Sequence, residues 1–76
     1  MRWMDSRRIL VEFRDKDGPL RRESTDPTRI HAWGVHAIIL APPDFATLSD
    51  DAILDLLRRA GEVGRELEAL GFWVVY

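Results

Sequence analysis

SDDAILDLLRRAGEVGRELEALG, residues 49–71, is the segment on which the fold depends. Its apolar residues recur at alternating spacings of three and four, which places them on one stripe of an α-helix and on no single face of a strand. The members of this stripe are Ile53, Leu56, Ala60, Val63, Leu67 and Leu70. We therefore predict one long amphipathic helix whose apolar stripe is buried against the rest of the chain.

Both ends of this helix are marked by residues that suit helix termini. Ser49 is predicted to cap the free amide groups of the first turn, and Asp50 and Asp51 lie where the positive end of the helix dipole favours carboxylates. Gly71 can adopt the left-handed backbone conformation that ends many helices. The end signals agree with the spacing of the apolar residues, so we expect the helix to begin and end at these residues.

A second stripe runs beside the first and contains Leu54, Leu57, Gly61 and Gly64. A glycine inside a helix costs about 1 kcal/mol relative to alanine, so the two glycines need an explanation. Three explanations stay open. The first is that the glycines form a notch in which a neighbouring backbone or another copy of the helix packs closely. The second is that the chain tolerates a helix weakened by two glycines, and the third is that the helix breaks there into two shorter ones.

Three further segments have the pattern of β-strands. Residues 7–14 alternate apolar with charged side chains, which is the period of a half-buried strand. Residues 30–41 form a longer apolar segment with Gly34 near its middle, where we expect a bulge or bend. Residues 72–76 are continuously apolar, which favours a strand in the centre of the sheet rather than at its edge.

The first of these strands is predicted to turn back as a β-hairpin. Turn residues at 15–18 separate it from the returning strand. A four-residue loop at this point opposes Phe13 to Leu20 as an apolar pair. The same register opposes Glu12 to Arg21 as an ion pair, whereas a two-residue turn at 17–18 would bring like charges face to face. We therefore predict the first register.

Together these segments predict one α+β domain over residues 1–76. Its sheet is small and mixed, with about four strands, and the single long helix packs on one face in a ββαβ-like order. The strands before and after the helix are expected to be parallel and joined by a right-handed crossover. One helix cannot cover both sides of a sheet, so we expect the opposite face to have no helix over it.

Length and composition predict a small soluble domain. Of the 76 residues, 46% are hydrophobic and 32% charged, a balance typical of globular proteins. The chain has no cysteine, and its apolar segments are too short to span a bilayer, so we expect a cytoplasmic protein without a membrane role. Residues 1–38 hold eight Lys or Arg against six Asp or Glu, and residues 39–76 hold three against seven.

No combination of residues in the sequence predicts catalysis or a bound cofactor. His31, His36 and Asp44 come nearest to a metal site, but the two histidines lie about 13 Å apart on an extended strand even if a bulge turns them to one face. The paired carboxylates of the helix suit a helix start and a solvated face rather than acid–base chemistry. We therefore expect a protein that is not an enzyme and that uses no metal ion or cofactor.

The expected function is protein binding by a small regulatory module of the adaptor or inhibitor type. The sheet face without a helix and the acidic surface of the helix are the candidate surfaces, and a homodimer is one expected assembly. The candidate contact residues are Trp3, Arg8, Arg14, Arg21, Arg22, Trp33, Glu62 and Glu66. The alternative is nucleic-acid binding by the arginine-rich hairpin, since guanidinium groups hold phosphates and indole rings stack on bases. A net charge of -2 counts against that alternative.

Overall fold

A computed structural model describes residues 2–20 and 27–76 of the chain. The strands are β1 (Arg2–Met4), β2 (Leu10–Asp15), β3 (Gly18–Pro19), β4 (His36–Leu40) and β5 (Trp73–Val75). The one α-helix in this part of the chain is α1 (Asp50–Ala69), and it lies between β4 and β5 in sequence. Short 3-10 helices cover Pro27–Arg29 and Phe45–Thr47.

All five strands belong to one mixed sheet in the order β1-β2-β4-β5, with β3 paired to β2. Because β4 accompanies β2 from Leu10 to Arg14 on one side, β1 and β3 share its other side end to end. Among these strands only β4 and β5 are parallel, as expected for two strands joined through a helix. The α+β class, the mixed sheet and the single long helix are confirmed, and the sheet has one strand more than expected.

The helix forms where its sequence signals lie. The Ser49 hydroxyl accepts a hydrogen bond from the Ala52 amide at 3.2 Å, and Gly71 follows the helix with a φ of +98°. The fully buried members of the predicted stripe are Ala60, Val63 and Leu67. The prediction that Leu70 is buried is wrong: it lies just past the last helical residue, at the turn towards β5, and its side chain is exposed.

The hairpin between β2 and β3 has the predicted register but a tighter turn. The Leu20 amide donates to the Phe13 carbonyl at 3.1 Å, so these residues oppose each other as expected. Asp15 also pairs with Gly18, which leaves a two-residue loop in place of the expected four-residue loop. The expected pairing of Arg21, with the rest of the returning strand, lies outside the described residues.

The strand before the helix is shorter than the sequence pattern suggests. It begins at His36 and not at residue 30, because the chain turns at Gly34, which has a φ of +74°. The Val35 amide closes this turn on the Ala32 carbonyl at 3.0 Å. The expected strand over residues 30–41 is therefore too long, and of the two alternatives at Gly34 the bulge is wrong. The chain bends there, and the glycine sets the start of β4.

The edges of the sheet also differ from expectation. The apolar run that predicts a central strand forms an edge strand instead, since β5 pairs with β4 alone among the described strands. The run is apolar because Phe72 is buried in the core and Val74 packs against it, while Trp73 is exposed. β1 has no sequence signal of its own, because three residues are too few for a periodic pattern. It forms by pairing with β2.

The hydrophobic core lies between α1 and one face of the sheet. Its buried members are Ile9, Val11, Phe13, Ile30, Val35, Ala37, Ala60, Val63, Leu67 and Phe72. In β2 the buried side chains alternate with those of Leu10, Glu12 and Arg14, which therefore point to the opposite face. No α-helix of the described residues covers that face, as the single helix predicts.

Candidate protein interface

The sheet face opposite α1 gathers side chains from four strands. Pairing sets Leu10 opposite both Met4 and Leu40, and Ile38 opposite Val75. Residues that oppose each other across neighbouring strands lie on the same face of the sheet. We call this surface the helix-free face, and it comprises Met4, Leu10, Glu12, Arg14, His36, Ile38, Leu40, Trp73 and Val75.

Most of the helix-free face is apolar and open to solvent. Met4 is 65% exposed, Trp73 64% and Val75 45%. The half-buried aliphatic side chains between them are Leu10, Ile38 and Leu40. A continuous apolar strip on so small a chain is the kind of surface that marks an interaction site.

The polar members of the helix-free face contact neighbouring side chains of the same face. The Arg14 Nε donates to the Glu12 Oε1 at 2.5 Å, so this face carries one acidic and one basic group side by side. The ring of His36 meets that of Trp73 edge to face, with centroids 5.0 Å apart and planes at 86°. This contact holds the exposed indole in place.

A cleft opens at one end of the helix-free face. It has a volume of about 560 Å³ and is lined by Trp33, Trp73 and the turn between β2 and β3. The turn contributes Asp15, Lys16 and Asp17, and the Asp15 Oδ1 accepts the Asp17 amide at 2.8 Å. Trp33, a predicted contact residue, is 86% exposed. The fold thus brings two tryptophans from distant parts of the sequence to one cleft.

The acidic surface of the helix, the other predicted interface, is paired within the chain. Arg7 donates to both carboxylate oxygens of Glu66, at 2.9 and 2.5 Å. Arg58 pairs with Glu62 at 3.2 Å and with Asp55 at 2.6 Å. Glu62 and Glu66 therefore offer a partner less charge than the sequence suggests.

Arg7 also contacts Asp5, so one guanidinium joins the segment between β1 and β2 to α1. Its Nε donates to the Asp5 Oδ1 at 2.5 Å, and the Arg59 Nη1 donates to the Arg7 carbonyl at 2.7 Å. The hydrogen bonds from Arg7 lower the pKa of Asp5 and that of Glu66, and the two carboxylates raise the pKa of Arg7. We call Asp5, Arg7 and Glu66 the Arg7 latch.

The two glycines of the second helix stripe have different surroundings. A Cβ at Gly64 would overlap the Tyr76 hydroxyl, so the close approach of that ring needs a glycine. A Cβ at Gly61 would meet only the Arg65 guanidinium, at 3.5 Å. The helix is continuous over Asp50–Ala69, so the alternative of two shorter helices is wrong. The notch lies at Gly64, and a tyrosine of the same chain occupies it.

The other predicted contact residues are scattered over the molecule. Trp3 lies on the core side of the sheet, where its half-buried ring packs against the core. Arg8 is exposed between β1 and β2 and has a φ of 65°. The two that lie outside the described residues are Arg21 and Arg22. Of the described candidates, Arg14 and Trp33 lie on the helix-free face or at its end.

The sequence predictions miss most apolar members of the helix-free face. The alternation in residues 7–14 already assigns Leu10 to the side opposite the core, and that signal could have found it. Met4 has no such signal, because its strand is recognised only through pairing with β2. The sequence predicts Ile38 and Leu40 as part of a strand buried on both faces. They are only half-buried, because no helix of the described residues covers this face of the sheet.

Two kinds of structural feature are absent from the described residues. In residues 2–20 and 27–76, no three His, Cys, Asp or Glu side chains come together to hold a metal ion. Over the same residues, the structure has no helix with the length and apolar character needed to span a bilayer.

The chain must be interpreted from its own structure. No protein-family model, no curated protein and no solved structure matches it. The helix-free face and the adjoining cleft are therefore the observations from which a function is inferred.

Proposed function

We propose that the chain is a small non-enzymatic protein-binding module of the adaptor or inhibitor type that binds through the helix-free face. The observation that carries the proposal is the apolar strip that no described element covers. Removing apolar surface from water is favourable by about 25 cal/mol of free energy per Å² buried. Protein interfaces combine an apolar centre with a polar rim. The strip supplies the centre, and Glu12 with Arg14 supply the rim. A cytoplasmic setting, which the cysteine-free composition favours, is part of the proposal.

The helix-free face receives more support than the acidic surface of α1. Glu66 and Glu62 already pair with Arg7 and Arg58, so a partner must displace these contacts before it gains its own. Exposed ion pairs contribute little to binding because water and salt screen them. The apolar strip has no such competitor, and its burial releases water on both partners.

A second copy of the chain is the partner to test first. A twofold axis places the same patch on both subunits, so the patch must be complementary to itself. The apolar strip favours such a pairing, because the exposed apolar side chains of the two copies can bury one another. Glu12 and Arg14 pair with each other within each copy and leave no unbalanced charge between them.

Charged substitutions on the helix-free face test the proposal. Met4→Glu with Val75→Glu places two carboxylates in the strip, and Leu54→Glu with Leu57→Glu is the matched control, because both leucines are largely exposed but lie on the helix. Light scattering measures self-association, and affinity capture measures a different protein partner. We expect the complex formed by the wild type to persist in the control and to be lost in the double variant. Retention of the same partner by the double variant would contradict the proposal.

Nucleic-acid binding, the alternative expected from the arginine-rich hairpin, receives less support. Arg7 and Arg14 both pair with carboxylates of the same chain, which leaves them less able to hold phosphate groups. Generic DNA or RNA that binds at low salt and is released as the salt concentration rises would favour this alternative instead.

A further inference from the structure

The cleft beside the helix-free face combines indole rings with carboxylates. Trp33 and Trp73 are both largely exposed, and they line the cleft together with Asp15 and Asp17. The face of an indole ring carries partial negative charge and attracts cations. The rings and the carboxylates therefore favour the same kind of ligand, which is a positively charged group.

The carboxylates of this cleft are available to a ligand. Within residues 2–20 and 27–76, neither Asp15 nor Asp17 forms an ion pair, and the hydrogen bond from the Asp17 amide orients the Asp15 carboxylate. Lys16 lies between them, and two carboxylates against one ammonium leave a net negative charge. Lys16 itself lines the cleft, so a cationic ligand competes with its ammonium group, which the long flexible stem of lysine allows to move aside into water.

The cleft has a defined shape and a suitable size. The edge-to-face contact with His36 holds Trp73, and Trp33 comes directly before Gly34, whose φ of +74° sets the turn. The volume of about 560 Å³ falls within the range of small-ligand sites, roughly 300–1,000 Å³. The terminal part of an arginine or lysine side chain fits in such a space.

In a second cleft of the same molecule, two carboxylates pair with a cation of the chain itself. This cleft has a volume of about 380 Å³, and its lining includes Trp3, Asp5 and Glu66. There Arg7 pairs with both carboxylates, at 2.5 Å each. No described arginine takes the corresponding place beside Asp15, so the first cleft is open to a cation from another molecule.

We propose that the cleft between Trp33 and Trp73 binds a cationic side chain, arginine or lysine, that projects from a protein partner. The cation stacks on the indole faces, and Asp15 and Asp17 balance its charge. Trp73 belongs both to the cleft and to the helix-free face, so a partner that covers this face also reaches the cleft. Assigning the side chain to a protein partner rests on the proposed function, whereas the preference of the cleft for a cation does not.

Short peptides with one variable side chain test the cation directly. The probes are Gly-Arg-Gly and Gly-Lys-Gly with blocked ends, and the control contains citrulline, which keeps the shape of arginine without its charge. NMR spectra of the indole N–H groups report each tryptophan separately. We expect the arginine peptide to shift the signals of Trp33 and Trp73 and to leave Trp3 unchanged. The citrulline peptide should bind about two- to fivefold more weakly, which corresponds to one exposed cation–π contact.

Removal of the carboxylate charges tests the second half of the site. Asp15→Asn with Asp17→Asn removes both charges and keeps an oxygen at position 15 to accept the amide hydrogen bond. Asp50→Asn with Asp51→Asn is the matched control, because it makes the same change of charge at the start of α1. We expect the affinity for the arginine peptide to fall at least about twofold in the cleft variant, as for two exposed ion pairs, and to be unchanged in the control. Trp33→Ala should abolish binding without unfolding the chain, since the ring is exposed.

Three results would overturn the proposal. These are equal affinities for the arginine and citrulline peptides, signal shifts centred on Trp3, and full affinity in the Asp15→Asn, Asp17→Asn variant. The proposed function has a separate test. If Met4→Glu with Val75→Glu abolishes the complex while no peptide binds, the cation site is wrong and the helix-free face is supported. If the peptide binds while the same variant keeps its partner, the cation site is supported and the helix-free face is wrong as the interface.

Discussion

The two faces of the sheet are built from the same strands and have different surroundings. On the side of α1, Val11, Phe13 and Ala37 are completely buried. On the other side, Met4 and Trp73 are largely exposed. The contrast arises because the side chains of a strand alternate between faces, and a helix of 20 residues, about 30 Å long, covers only one of them.

Under the proposed function, stability and recognition depend on opposite faces of one sheet. Side chains that face α1 bury apolar surface within the chain, so their truncation changes the free energy of unfolding. Side chains of the helix-free face keep much of their surface in water, so they contribute less to folding. A chain of this size buries only about 60% of its unfolded surface, so one face of the sheet joins the core and the other keeps exposed side chains.

The greatest loss of stability is expected on the covered face. Phe13→Ala removes a completely buried ring whose centroid lies 5.1 Å from that of Phe72, and such truncations cost about 3–5 kcal/mol. Trp73→Ala removes a larger side chain from the helix-free face. We nevertheless expect a smaller decrease in the free energy of unfolding, because most of that indole is already in water. Urea denaturation of both variants beside the wild type measures the difference.

Two valines provide a control with a single residue type. Val11 is completely buried on the covered face, and Val75 is partly exposed on the helix-free face, so Val11→Ala should be clearly the more destabilising substitution. Equal losses would show that burial does not distinguish the two faces. A loss at Val75 that grows with protein concentration would show that a second copy covers the helix-free face.

Much of the covered side can be predicted from the sequence because its signals are local. The spacing of the apolar residues in α1, the cap at Ser49 and the alternation through Phe13 each lie within a few neighbouring residues. The helix-free face is less predictable. The alternation assigns Leu10 to it, but the residues beside Leu10 depend on pairing with Met4 and Leu40, which no local pattern describes.

The wrong predictions fall where tertiary contacts decide the structure. The apolar run at 72–76 satisfies the pattern of a central strand, but Phe72 turns into the core and the strand lies at an edge. Trp33 is predicted as a contact residue from its type alone. Its proximity to Asp15 and Asp17 follows from the hairpin turn and the start of β4, so the cleft is visible only in the folded chain.

The two glycines of the second helix stripe provide a finer comparison. Gly61→Ala is expected to stabilise the protein by up to about 1 kcal/mol, because the new methyl group meets only the flexible end of Arg65. Gly64→Ala has the same gain in helix propensity but displaces the Tyr76 ring, so we expect a smaller gain or a loss. Thermal unfolding measures the difference, and the NMR signals of Tyr76 report the displacement. Equal gains with unmoved Tyr76 signals would contradict this account.

The weakest effect concerns the Arg7 latch, which joins the segment between β1 and β2 to the covering helix. Hydrogen bonds from Arg7 hold the pKa of Asp5 and that of Glu66 below their ordinary values of 3.8 and 4.5. In acid the folded state therefore binds fewer protons than the unfolded state. The stabilisation is complete above these ordinary values and is lost as the pH falls through the lowered pKa values of the folded state.

Arg7→Gln removes this linkage and is expected to lower the melting temperature at neutral pH while approaching the wild type in strong acid. Arg65→Gln is the matched control, because it makes the same change of charge at an exposed position of α1 that forms no ion pair within the described residues. The control should follow the wild-type curve at every pH. If the melting temperature of Arg7→Gln stays below that of the wild type by the same amount at every pH down to strong acid, Arg7 does not lower the pKa values of Asp5 and Glu66. The latch would then contribute no pH-dependent stability to the fold.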